Sequence, residues 1–271
     1  MQNLLITTCL CFTFLLTSPC IANEFPYRDK YPEINILELT NLKAAYDSGD
    51  FIFVDVRSKT EFDAIHIKTA INIPYANARF TGELAKAAAE NSNKKIVVYG
   101  NGLDCLKSYK AAEDATYGMI PNIFAYDAGI VAWAISYPAD TMLLGVELVS
   151  TEKQLISAEQ FIKRNLDFDT FKEKAASNNV MVIDARDPIQ HKQELPGLEK
   201  SLHISLDKLV KNIVNKEHLK DKQLLIFDQV GRQVNWLMYY LVDKGYTDFY
   251  FLKGGATAVL KTQDYRVTYT E

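Results

Sequence analysis

The chain has 271 residues, with 30 basic and 34 acidic side chains, a formal net charge of −4 and 48% hydrophobic residues. Residues 23–150 carry 12 basic and 17 acidic residues and residues 151–271 carry 18 and 17, so neither half has the basic excess that would make nucleic acid a natural partner. A chain of this length buries a core large enough to dispense with disulfide staples.

Residues 1–22 read as an export signal. Leu4 to Pro19 is almost uninterrupted apolar or hydroxyl residues, and Cys20-Ile21-Ala22 follows it. The run is shorter than the about 20 residues a membrane helix needs, and Ala22 is a suitable small residue before a cleavage point. Met1-Gln2-Asn3 brings no lysine or arginine, and Pro19 before Cys20 argues against lipid attachment. The expectation is a periplasmic or secreted mature protein with no stable membrane insertion. Cys9, Cys11 and Cys20 leave with such a signal, so Cys105 becomes the single thiol and no internal disulfide is possible. One cysteine excludes a thiolate zinc cluster. The four histidines, His66, His191, His203 and His218, show no His-Glu-x-x-His spacing, so no metal and no organic cofactor are expected.

In chain order, Leu39 to Tyr46 reads as a helix closed by Asp47-Ser48-Gly49, followed by the apolar strand Phe51 to Val54 and then Asp55-Val56-Arg57. Lys95 to Tyr99 is a second strand. It enters the loop Gly100-Asn101-Gly102-Leu103-Asp104-Cys105, and a helix follows through Lys107 to Ala115. Asn122 to Tyr126 is a third strand, leading to Ala128-Gly129. Tyr137 to Asp140 marks a turn and Leu155 begins a new helical pattern with Ser157 as a cap, so a boundary falls between them. The order then repeats. Phe171 to Ala176 reads as a helix, Val180 to Ile183 as a strand leading into Asp184-Ala185-Arg186, and Gln223 to Phe227 as another. A helix with Val234, Leu237, Met238, Leu241 and Val242 on one face comes next, and Asp248 to Leu252 runs into Gly254-Gly255. Two strand-then-Asp-x-Arg elements 129 residues apart point to duplication. Short apolar strands alternating with helices make each copy α/β, with a mainly parallel central sheet flanked by helices. The units are placed at residues 23–148 and 149–271, packed together.

These residues resemble a tandem rhodanese-family protein, the sulfurtransferase-like fold. The first half supplies Asp55-Val56-Arg57, Glu61-Phe62, His66-Ile67, Asn72-Ile73-Pro74, Ser108, Gly129 and Trp133 in family order. The second supplies Asp184-Ala185-Arg186, Pro196-Gly197, Gly231, Gly245-Tyr246 and Gly254-Gly255. The resemblance implies a catalytic cysteine directly after the strand Lys95–Tyr99, heading a cradle of backbone N–H groups that stabilises a thiolate or persulfide. Both copies depart from that pattern: Gly100 holds the position in the first half and Asp228 in the second. Gly100 leaves an anion cradle of Gly100, Asn101, Gly102, Leu103, Asp104, Lys107 and Ser108 without its nucleophile. Asp228 sets a negative charge where the family's substrate anion would sit, with Arg232 near enough in sequence to pair with it. The second half resembles the inactive, structural half of tandem family members.

Cys105 then corresponds to the second cysteine of a variant family loop, Cys-Asn-Gly-x-x-Cys followed by Lys/Arg-Ser. It reads either as a small buried hydrophobe beneath the loop or as a reactive thiol at the start of a helix, helped by Lys107. The resemblance gives Asp55, Arg57 and His66 supporting roles, and Trp133 reads as core. Three functions stay open. The first is a catalytically degenerate protein binding an anion, a persulfide or a partner protein. The second is a sulfurtransferase of thiosulfate or mercaptopyruvate type carrying persulfide on Cys105, and the third is a redox-sensitive partner through Cys105. The partners expected are a small sulfur-containing anion or a protein thiol.

Overall fold

Strands that are apolar on both faces need cover on both, and in each half of this chain helices supply it. The computed structural model describes residues 25–267, so the proposed export signal lies outside the described residues. The first half runs α1 (Leu39–Ser48), β1 (Phe51–Asp55), α2 (Lys59–Ala64), β2 (Ile65–Ile67), β3 (Ile71–Asn72), α3 (Phe80–Glu90) and β4 (Lys95–Tyr99). It continues through α4 (Lys107–Tyr117), β5 (Ile123–Tyr126), α5 (Gly129–Ser136), β6 (Thr141–Leu143) and β7 (Val146–Glu147). The second half runs α6 (Thr151–Gln154), α7 (Ala158–Ile162), β8 (Asn165–Leu166), α8 (Phe168–Ala175), β9 (Val180–Asp184), β10 (Leu202–His203) and α9 (Leu206–Leu209). After a π-helical turn at Val210–Val214 come β11 (Gln223–Phe227), α10 (Gln233–Asp243), β12 (Phe249–Leu252) and α11 (Gly255–Val267).

Both main sheets are parallel, in the orders β3-β1-β4-β5 and β10-β9-β11-β12-β8. The shared frame extends to register: Asp55 pairs with Asn72 and Tyr99, and Asp184 pairs with His203 and Phe227. Ile96 to Tyr99 and Leu224 to Phe227 are fully buried, as central parallel strands require. The antiparallel strands β6 and β7 fold back onto β2, so the segment after Tyr137 stays with the first half.

Helix starts follow their caps. Ser157 forms a capping box with Gln160, which delays the helical pattern from Leu155 to Ala158. Asp167 accepts the Thr170 N–H at 2.9 Å, so α8 opens at Phe168, three residues before the apolar pattern suggests. In α10 the expected apolar face is buried except Val242, which is 52% exposed, while Trp236, Tyr239 and Tyr240 on other faces are buried. The cause is position, since α10 lies between its own sheet and α2 of the first half. The Tyr240 hydroxyl donates to the Thr60 carbonyl at 2.7 Å, and the Thr60 hydroxyl bonds the Asp207 carboxylate. One apolar cluster spans the halves, with Leu42, Phe53 and Trp133 from the first and Leu237, Phe249 and Phe251 from the second.

Candidate active site

The carboxyl end of β1 carries a buried ion pair. Arg57 turns back so that Nε donates to Asp55 Oδ1 at 2.9 Å and Nη2 to Oδ2 at 2.6 Å, with both side chains wholly buried. Burial opposes the guanidinium's charge, and Asp55 more than offsets it, holding Arg57 above its ordinary range. Its remaining donors reach outward, Nη2 to the Ile65 carbonyl at 2.5 Å and Nη1 to Asn101 Oδ1 at 3.3 Å. The Asn101 amide donates to Glu61 Oε1 at 2.8 Å, and Lys107 Nζ lies 3.8 Å from Glu61 Oε2. Burial pushes the Glu61 carboxyl up, but Lys107, Arg57 and the Asn101 bond together hold it below the usual carboxylate range. The Asp55–Arg57 pair thus fixes the start of the loop after β4 through Asn101.

That loop, residues 100–106, is held at both ends. Ile130 N–H donates to the Gly100 carbonyl at 3.1 Å and Cys105 N–H to the Gly102 carbonyl at 2.8 Å. Gly129, at φ +78°, lets it close on α5: a Cβ there would stand 2.2 Å from Gly102 N. At Gly100 the contact differs in kind. A Cβ on Gly100 would meet the Cys105 Sγ at 3.1 Å and, within 4 Å, no other atom except the Cys105 Cβ. The sulfur of Cys105 therefore stands in tight contact with the point where a side chain at position 100 would begin. Cys105 is half-buried and lines a cleft, and Lys107 opens α4, whose first-turn N–H groups lack intrahelical acceptors. Ser108 is buried, Asp104 is exposed, and Leu103 is 38% exposed at the cleft rim.

The corresponding loop of the second half, residues 228–232, is two residues shorter. Asp228 is buried and its carboxylate accepts four backbone N–H groups: Val230 at 2.9 Å, Gly231 in a shorter bond, Gln233 at 2.6 Å and Val234 at 3.1 Å. Burial pushes this carboxyl above its ordinary range, and the four donors oppose that rise. The side chain at the family's cysteine position thus occupies its own N–H cradle. Arg232 does not pair with it, contrary to the expectation from sequence. The amides already satisfy Asp228, and Arg232 Nη1 reaches across to the Asp104 carbonyl of the first half at 3.3 Å.

Between the halves lies a cleft of about 730 Å³, lined by Glu61, Cys105 and Lys107 on one side and Asp228, Trp236 and Tyr239 on the other. Trp236 is placed by the Arg57 guanidinium, 4.9 Å from its ring centre. Glu61 is absent from the residues singled out by sequence as site candidates. The signal for Glu61 is the Ser58-x-x-Glu61 capping box, which starts α2 and buries the carboxylate. His66 is not part of the cleft lining; it stacks on Phe62 with Nδ1 2.7 Å from the Phe62 carbonyl, and burial holds it below its ordinary range. Trp133 is wholly buried in the core. No metal site was expected from the histidine spacing, yet the fold brings Asp184, His191, Glu194 and His203 together with ligating atoms within 4.8 Å of one another.

Parallel sheets with an Asp-x-Arg pair at β1 or β9 and an N–H-rich loop after β4 or β11 define a tandem sulfurtransferase-like fold. Residues 38–136 and 167–262 each match the Rhodanese-like domain, and the chain belongs to that family. Among curated proteins it is similar to the tRNA uridine(34) hydroxylase of Escherichia fergusonii, 28% identical over 103 residues, which is 37% of this chain and 28% of that protein. The Salmonella arizonae protein of the same name is 29% identical over 101 residues, covering 36% and 28%. The chain spans under a third of the length of these relatives. Among solved structures, the thiosulfate sulfurtransferase from Pseudomonas aeruginosa aligns with 87% of this chain and 46% of its own, at 16% identity and a TM-score of 0.37. The As-Sb reductase from Leishmania major covers 48% of this chain and 97% of its own, at 18% identity and a TM-score of 0.37.

Proposed function

We propose that this protein carries sulfane sulfur on Cys105, inside a cleft that its non-catalytic second half helps to enclose, and that it does so after export. The observation that carries the reading is the Cys105 Sγ, 3.1 Å from where a side chain on Gly100 would begin. A thiol five residues along the chain thereby stands beside the family's catalytic position. The half-buried Cys105 on the cleft and the neighbouring Lys107 at the start of α4 support it. The Cys105 thiolate attacks the outer sulfur of a thiosulfate-like donor. The new S–S bond forms as the donor's S–S bond breaks, and sulfite leaves with the electron pair. An acceptor thiolate or cyanide then takes the outer sulfur and releases the Cys105 thiolate. Asp228 cannot do this, because a carboxylate forms no persulfide and its oxygens already hold four N–H groups.

A second reading is a binding protein for an anion, persulfide or partner thiol without turnover. It is favoured by the Lys107–Glu61 approach of 3.8 Å, which leaves less positive charge to stabilise a Cys105 thiolate. Mass spectrometry of the mature protein after thiosulfate or mercaptopyruvate separates the two. The carrier reading predicts one added sulfur on Cys105, abolished in Cys105→Ser. No added mass with either donor, beside a thermal shift with thiosulfate that survives in Cys105→Ser, leaves the binding reading.

A further inference from the structure

We infer that the second half holds a transition-metal ion between His191, Glu194 and His203, with Asp184 as the fourth ligand. The inference is independent of Cys105 chemistry and uses none of the cleft residues.

The site is built on a frame that the first half uses differently. Asp184 ends β9 and pairs in register with His203, as Asp55 pairs with Asn72. In the first half the Asn72 amide donates to the Asp55 and Arg57 carbonyls at 3.0 Å each. His203 places an imidazole where that amide stands. Arg57 donates to the Ile65 carbonyl and Arg186 to the Gln193 carbonyl, which makes Glu194 the counterpart of His66. His191 comes from the segment between β9 and β10, where the first half has α2 and β2. Three changes at equivalent or adjacent places thus converge on one point.

One candidate ligand atom from each of the four residues lies within 4.8 Å of the other three. His191 Nε2 lies 3.5 Å from Asp184 Oδ2 and 3.3 Å from Glu194 Oε1; His203 Nδ1 lies 3.3 Å from Asp184 Oδ2 and its Nε2 3.2 Å from Glu194 Oε1. Zinc bonds of about 2.0–2.1 Å in a tetrahedron set ligand atoms about 3.3–3.4 Å apart. None of these four approaches is a hydrogen bond, and His191 Nε2 is buried with no hydrogen-bond partner among the described residues. His191 Nε2 thus stands between two carboxylates without a hydrogen bond, and in its unprotonated form its lone pair is available to an ion. Only one His203 nitrogen binds the ion, so one of its two carboxylate approaches is not an edge of the coordination shell.

Asp184 is shared, since Arg186 donates to Oδ1 at 2.8 Å and to Oδ2 at 2.5 Å. The two carboxylates and this guanidinium leave one net negative charge beside two imidazoles, a balance that favours a bound cation over an anion. Imidazole with carboxylate selects zinc, cobalt or nickel over magnesium or calcium. His203 and Glu194 are about two-fifths exposed, so an ion can enter from solvent.

The test uses the chelator-treated mature protein, titrated with zinc by calorimetry and followed by thermal unfolding, with cobalt absorption as the geometric readout. We expect one zinc equivalent, a rise in Tm reversed by EDTA, and intense tetrahedral cobalt bands, all retained in Cys105→Ser. His203→Asn, which restores the first half's residue, should weaken binding at least tenfold, as should His191→Ala. Should His191→Ala fail to fold, His203→Asn and the cobalt spectrum of the parent decide. Absence of saturable binding, or equal affinity in parent and His203→Asn, overturns the site; the imidazoles are then ion-pair partners of the two carboxylates only.

Discussion

Replacing Asp228 with alanine empties the second N–H cradle, and the structure sets the size of the effect. Four N–H groups bond the carboxylate, and hydrogen bonds to a charged group are worth about 1.5–3 kcal/mol each. Their plain sum overstates the loss. Removing the side chain also relieves the burial that raises its carboxyl pKa, and the exposed Val230 and Arg232 let water reach part of the loop. A net loss of about 2–4 kcal/mol remains, because water cannot re-satisfy the deeper Val234 N–H as well as an anion does. For a chain of this size that is a Tm drop of roughly 5–15 °C. Differential scanning calorimetry with and without sulfate or thiosulfate provides the assay. Asp228→Ala should regain much of the drop in either anion, because a vacant nest of N–H groups takes an oxyanion, whereas the parent should not respond through this loop. A variant as stable as the parent, with no anion response, would refute the idea that the carboxylate fills a cradle.

Gly129→Ala would place a methyl 2.2 Å from Gly102 N at φ +78°, so the loop of residues 100–106 must move; we expect a loss of about 3 kcal/mol or more and faster alkylation of Cys105, read by denaturation and iodoacetamide kinetics. Glu61 has its carboxyl held below its ordinary value of 4.5, so its stabilisation is complete above that value and is lost as pH falls through the folded one. The stability gap between parent and Glu61→Gln should therefore be widest near neutrality and shrink below pH 4.5, and a gap constant across that range would contradict the network. His66 is held below its ordinary 6.5 by burial, so NMR titration should find it neutral until the pH falls below that value.

The duplicated frame was legible because apolar strands, Asp-x-Arg pairs and turn glycines are local signals. Val180 to Asp184 and Gln223 to Phe227 needed no tertiary knowledge to read as strands. The partners of buried charges were not legible. Arg232 is the cation nearest Asp228 in sequence, but backbone N–H groups leave no trace in side-chain identity and were the actual partners. Val242 fits the apolar stripe of α10 yet lies exposed, while Trp236, Tyr239 and Tyr240 off that stripe are buried because the helix packs against the other half as well as its own sheet. His203 and Asp184 are neighbours only through parallel register, and no spacing motif announces a pair 19 residues apart. The Cys105 sulfur beside Gly100 is likewise a property of loop curvature, fixed by Gly102 and Gly129.

The central claim is that Cys105 replaces, in space, the cysteine that Gly100 lacks. Intact-mass and peptide analysis of the mature protein after brief exposure to thiosulfate or mercaptopyruvate tests it directly. The account predicts a gain of one sulfur atom on Cys105, removed by cyanide or a small thiol and absent in Cys105→Ser. A protein that stays at its unmodified mass with both donors, while its thiol remains open to alkylation, would contradict it.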